Sequence, residues 1–152
     1  MLAKTDYAAN CGDQSANEID GGPPTLAKGW TTKDNNITNG IIFRRSQIHV
    51  REIVKGTSNV YLVGERYMNA LEYETGMDPS DNETMYVGYD NDVCRSSNLQ
   101  PKQDVPGVNA TNVYGSVHPG GFIMAYCDGH VDIINYDIAL AVFKSGGNRK
   151  EK

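Results

Sequence analysis

Apolar residues along the chain fall in short clusters separated by long polar stretches, and the clusters set the predicted elements. Thr5–Asn10 reads as a short strand and Gly40–Phe43 as another, ended by Arg44-Arg45. Between them, residues 12–39 form a polar loop with Gly21-Gly22-Pro23-Pro24 at its centre. Residues 46–58 predict one helical turn stopped at Gly56, because Ile48, Val50 and Ile53-Val54 fit neither period cleanly. Val60–Val63 is β-branched-rich and flanked by polar residues, the pattern of a buried strand. Residues 67–75 carry helix formers for about two turns. Residues 76–83 are an acidic loop, Met85–Tyr89 a further strand, and 90–112 mostly loop again.

The last forty or so residues hold the sharpest local signal. Phe122–Cys127, then Asp128-Gly129, then His130–Ile134 reads as a hairpin, the centre of a segment spanning 115–135. Asp-Gly between two strand patterns suits a two-residue turn with φ > 0 at both positions. That turn sets Cys127 opposite His130, Tyr126 opposite Val131, Ala125 opposite Asp132 and Met124 opposite Ile133. Phe122, Met124, Tyr126, Val131 and Ile133 then share the core face. Residues 137–143 predict a short helix with Asp137 near its start, stopped by Gly146-Gly147, and 146–152 a frayed tail. The expected fold is α+β but mainly β: one domain over 1–152, an antiparallel sheet, long loops and a short C-terminal helix.

Composition sharpens this picture. Leu, Ile, Val and Phe supply only 31 of 152 residues, so nine tyrosines and one tryptophan must carry much of the core. Lys+Arg number 14 against 19 Asp+Glu, a net charge of −5 that gives nucleic acid or an anionic membrane no basic patch. No run is long and apolar enough to span a bilayer. Cys11, Cys94 and Cys127 leave open one bridge with a free thiol or three reduced thiols, and no C-x-x-C spacing marks a zinc or redox pair.

Candidate chemistry is thin. Ser58 or Ser116 with His118 and Asp128 supplies the residue types of a triad, but neither serine stands in a G-x-S-x-G elbow. Cys127, Asp128, His130 and His118 supply zinc-ligand types without zinc spacing. Asp78, Asp81, Glu83, Asp90, Asn91 and Asp92 crowd 15 residues. They read first as a solvated acidic loop and second as a calcium site, although EF-hand spacing is missing. Asn36, Asn82 and Asn109 head glycosylation sequons, which matter only in a eukaryotic secretory pathway. Arg44, Arg45 and Arg51 read as partners for some of the acids. Trp30, Tyr86 and Tyr89 are aromatic candidates for holding a glycan-like ligand.

His118, nine residues, then Asp128-Gly129 forms an H-x9-D-G signature. With TDYAANCGD (5–13), NGIIF (39–43), IVKGTSNVYLVGE (53–65) and GSVHPGGFIMAYCDGHV (115–131), the chain resembles a planctomycete-type prepilin-like family, domain of unknown function 1559. The resemblance implies a pilin- or pseudopilin-like globular head of the cell envelope or exterior. Its partners would be other pilin-like subunits or envelope proteins, and it carries over no catalytic residue. His118, Gly120, Gly121, Asp128 and Gly129 become motif residues with structural roles. Members usually begin with a prepilin leader and a hydrophobic helix. Against that pattern the chain reads as a fragment or a free-standing descendant, and Lys55 stands where members carry Asp. The alternative reading is a non-enzymatic extracellular module binding calcium or a glycan on its loops.

Overall fold

A computed structural model describes residues 3–14 and 38–151. Most of the 12–39 loop, and Trp30 with it, lies outside the described residues. The fold is mainly β, as the residue choice predicts. Five strands form one sheet in the order β3-β1-β2-β6-β7, from β1 (Tyr7–Asn10), β2 (Tyr61–Glu65), β3 (Cys94–Arg95), β6 (Phe122–Tyr126) and β7 (Val131–Ile134). Three of its pairings are antiparallel; β1 and β3 run parallel, so the sheet is mixed. A parallel two-stranded ribbon, β4 (Lys102–Gln103) with β5 (Gly115–Ser116), stands beside it. Among the described residues no helix is long and apolar enough to cross a membrane.

One side of the sheet carries the core. Ala8, Tyr61, Phe122, Met124 and Ile134 meet Tyr114 and Phe143 there, all buried. Phe143 reaches this cluster from α1 (Leu140–Gly147), with its ring against Tyr61, Tyr114 and Phe122 at 5.6–6.0 Å between centroids. The glycines expected to stop α1 are instead its last residues and are buried. A Cβ on Gly146 would fall inside the Tyr61 ring, so the missing side chain lets the helix lie on the sheet. Asp137 does not cap the helix: Ala139 holds that position, and its carbonyl accepts from Val142 at 2.9 Å. Beyond the helix, Arg149 is buried with its guanidinium on the carbonyls of Thr38 and Gly40, so the chain is held well past residue 146.

The hairpin forms, but one residue out of the expected register. Ala125 pairs with Val131, Met124 with Asp132, Ile123 with Ile133 and Phe122 with Ile134. The loop has three residues, Cys127–Gly129, closed by Tyr126 N–H to His130 O at 2.9 Å and Gly129 N–H to Tyr126 O at 3.0 Å. Gly129 alone takes a positive φ, of 93°. This is a turn followed by one left-handed residue rather than a primed two-residue turn. Because side chains alternate, the slip turns Val131 and Ile133 out to solvent, 61% and 64% exposed, and brings Ile134 in.

Other expected elements dissolve into turns. Residues 40–43 and 85–89 form no strand, and 67–75 is a succession of turns rather than a helix. Asn69 shows why. Its side chain accepts from Leu71 N–H and Gly107 N–H while its amide donates to Asn109, a set of tertiary bonds that outweighs weak helix propensity. Residues 46–58 contribute two short 3-10 turns, Val50–Glu52 and Thr57–Asn59.

Candidate functional site

The H-x9-D-G motif spans the corner where β5 turns into β6. Ser116 is buried, and its hydroxyl lies 3.1 Å from Gly121 O while accepting from His118 N–H. Tyr136 Oη sits among the carbonyls of Ser116, His118 and Gly121 at 2.9–3.1 Å, so its single O–H is shared between acceptors at the centre of the V-H-P-G-G loop. Tyr136 was not legible as a motif partner. Its one signal is its place just past the hairpin.

The His118 ring points outward, its side chain 59% exposed and Nε2 3.7 Å from Glu65 Oε1. It borders a cleft of about 350 Å3 that also carries Asp6, Asp104 and Tyr73. Burial raises the Asp104 carboxyl above its ordinary value, against hydrogen bonds from Tyr73 Oη at 2.6 Å and Met68 N–H at 3.0 Å. The His118–Glu65 contact is an ion pair only with the imidazole protonated, and with His118 this exposed it then contributes less than ~1 kcal/mol. The structural part of the motif is therefore its backbone, not its imidazole.

Asp128 and Gly129 lie at the far end of β6. Asp128 Oδ1 accepts from His130 N–H at 3.1 Å and lies 2.6 Å from His130 Nδ1. The His130 hydrogen bonds hold this carboxyl below its ordinary value. The imidazole in turn stacks on Tyr126, 4.0 Å between centroids. His118 thus faces Glu65, Asp128 faces His130, Ser116 faces the loop backbone and Ser58 lines a separate cleft, so the triad is not assembled. Nor is a zinc set, since the Cys127 thiol points at Tyr61 O.

The acidic stretch is built into the fold. Asp78 accepts from Asn69 N–H, Ser80 N–H and the Ser80 hydroxyl. Burial alone would raise its carboxyl, but these bonds outweigh it and hold it below its ordinary value. Asp81 is ion-paired to the buried Arg66. Asp90 accepts from Asp92 N–H at 3.0 Å, and Asp92 Oδ2 from Glu83 N–H at 2.7 Å. Lys4 Nζ donates to the carbonyls of Asp81 and Glu83 at 2.5 and 2.6 Å, putting an ammonium where a hard cation would take backbone oxygens. Among the described residues, no three His, Cys, Asp or Glu side chains are grouped to hold a metal ion.

The three cysteines are free thiols, with Cys11 and Cys94 buried and Cys127 half-buried. Burial pushes Cys11 and Cys127 up to about 11 and Cys94 up to about 12. Thiolate, the reactive form, is therefore scarce at all three. An aromatic disulfide reagent at mildly alkaline pH is expected to label Cys127 slowly in the native protein, and Cys11 and Cys94 only on unfolding. Rapid native labelling of Cys11 would contradict this packing.

Opposite the core, the sheet presents two cross-strand rows. One is Ala9–Val63–Ala125–Val131; the other is Tyr7–Glu65 and Ile123–Ile133, joined through the Glu65 side chain. Tyr7, Val131 and Ile133 are 49%, 61% and 64% exposed. Glu65 is the only charge in these rows, and its Oε2 accepts from Ile123 N–H at 2.7 Å.

The sequence model of a family described as "Protein of unknown function (DUF1559)" matches residues 3–141. No curated protein and no solved structure matches the chain.

Proposed function

The chain belongs to the DUF1559 family of proteins of unknown function, and from that premise we propose that it is a non-enzymatic, pilin- or pseudopilin-like structural protein of the cell envelope. It works by contact with other subunits or envelope proteins. The observation that carries this reading is the outer face of the sheet. Seven of the eight side chains in its two rows are apolar or aromatic, and β7 is an edge strand of that sheet. Tyr7, Ile123, Val131 and Ile133 are the exposed members of that face; apolar side chains grouped on one face favour an interaction surface, and an open strand edge beside them adds backbone donors and acceptors. Separation of Ser116, His118 and Asp128 supports the non-enzymatic part.

Sedimentation of the purified chain over a concentration series tests the reading. Self-association is expected to rise toward millimolar concentration and to be lost in Ile133→Lys, with the melting temperature unchanged because Ile133 packs against nothing in the core. A wild-type chain that stays monomeric throughout, or an Ile133→Lys variant that associates equally well, would overturn it.

A further inference from the structure

A second cleft, of about 580 Å3, lies between the 57–59 turn, the hairpin loop and α1. Its size falls in the ~300–1,000 Å3 range of small-molecule sites. Lys55, Ser58 and Asn59 line one side of this open cleft, Tyr61, Tyr126 and His130 another, and Ala141, Val142, Ser145 and Gly146 of α1 a third. No described Asp or Glu lines it, in a chain where 19 acids outnumber 14 Lys+Arg.

The cation is placed rather than loose. Lys55 Nζ donates to Ser145 O and, at 2.8 Å, lies against Ser145 Oγ, while Asn59 Nδ2 donates to Lys55 O at 2.8 Å. An ammonium has three N–H donors, so one remains for a ligand. Ser145 belongs to the last turn of α1, where the helix end carries roughly half a negative charge. Lys55 offsets that end, and Glu151 and Asp13 act on it from outside the lining, so its single charge suits one carboxylate and not a phosphate dianion. His130 has its Nδ1 engaged by Asp128 and its ring fixed on Tyr126, leaving Nε2 for another partner. Tyr126, edge to face with the buried Tyr61 at 5.2 Å and stacked with His130, gives a narrow aromatic wall beside the hydroxyl of Ser58 and the amide of Asn59.

We propose that this cleft binds an acidic monosaccharide, a uronic-acid-type ring with its carboxylate at Lys55, its hydroxyls at Ser58, Asn59 and His130, and its apolar face toward the exposed edge of the Tyr126–His130 stack. One cation, several neutral hydrogen-bonding groups and an aromatic wall match such a ring better than a bare anion or an apolar molecule. The cleft is distinct from the outer sheet face, so the proposal does not rest on the subunit reading.

Amide chemical shifts of the whole chain, titrated with D-glucuronate, D-glucose, acetate and glucose 6-phosphate, test it. Glucuronate is expected to shift amides within 55–61, 126–130 and 141–146 and to bind more tightly than the other three. Lys55→Gln should weaken it on the order of tenfold, as removal of a charged hydrogen bond does. If Lys55→Gln loosens α1 and lowers the melting temperature, His130→Gln carries the same comparison with Lys55 in place. The proposal falls if glucuronate moves none of these amides. It also falls if any of the other three binds as tightly, or if a folded variant binds glucuronate as the wild type does.

Discussion

Gly121→Ala is expected to destabilise the protein by more than ~3 kcal/mol, whereas Gly120→Ala costs less than about 0.5 kcal/mol. The two glycines are neighbours in the same motif, yet only one is needed for its missing side chain. Gly121 is buried with φ +152°, and a Cβ there would collide with the carbonyl of Ile134 on the paired strand. That carbonyl belongs to the β6–β7 ladder and cannot give way without opening the hairpin. A Cβ on Gly120 meets nothing within 4 Å. Gly129, with φ +93° but open space around it, falls between them: alanine there costs roughly 1–2 kcal/mol of left-handed strain. Thermal melts of the three variants give the order, and a Gly120→Ala melt as low as that of Gly121→Ala would refute the account.

Phe143→Ala is the second large effect, about 3–5 kcal/mol. Its ring is fully buried and touches three core aromatics, one of them on β2 and one on β6. Truncation leaves a cavity that the stacked Tyr114 and Phe122 rings, 6.0 Å apart, are poorly placed to fill. At a few degrees per kcal/mol for a chain of this size, the melting temperature should drop by roughly 10 °C. The same variant removes the only fully buried apolar side chain that α1 contributes, so amides of 140–147 should exchange faster than those of β2 and β6. Uniform loss of protection across the chain would show instead that α1 and the sheet open together.

The hairpin was legible because Asp-Gly stood between two strand patterns. Its register was not, because β7 carries apolar residues at 131, 133 and 134 and so has no polar face to fix the alternation. The motif corner was legible as a place, and Gly121 as one of its residues. Its Tyr136 clasp was not, since a phenol set among three carbonyls has no spacing signature. The acidic stretch shows the opposite failure. Its composition read first as a solvated loop and second as a calcium site, while Asp78, Asp81 and Asp92 are buried and Arg66 and Lys4, distant in sequence, supply positive charge there. Arg95 was invisible for a similar reason. It is fully buried on β3, held by the carbonyls of Val113 and Cys94, and burial lowers it only to about 10, so it is still a cation at neutral pH.

The strand order has a consequence for the timing of synthesis. β1 finds its neighbours at residues 61–65 and 94–95, its Asn10 amide donates to Gly147 O, and Arg149 N–H closes on Asn39 O. β2 lies between β1 and β6, so its second edge waits for residues 122–126. A ribosome adding roughly 5–20 residues per second therefore holds β1 and β2 for seconds before their last partners emerge. Among the described residues no segment before 122 has a complete sheet or core of its own, so the apolar face of β2 stays without its cover until the hairpin and α1 are released.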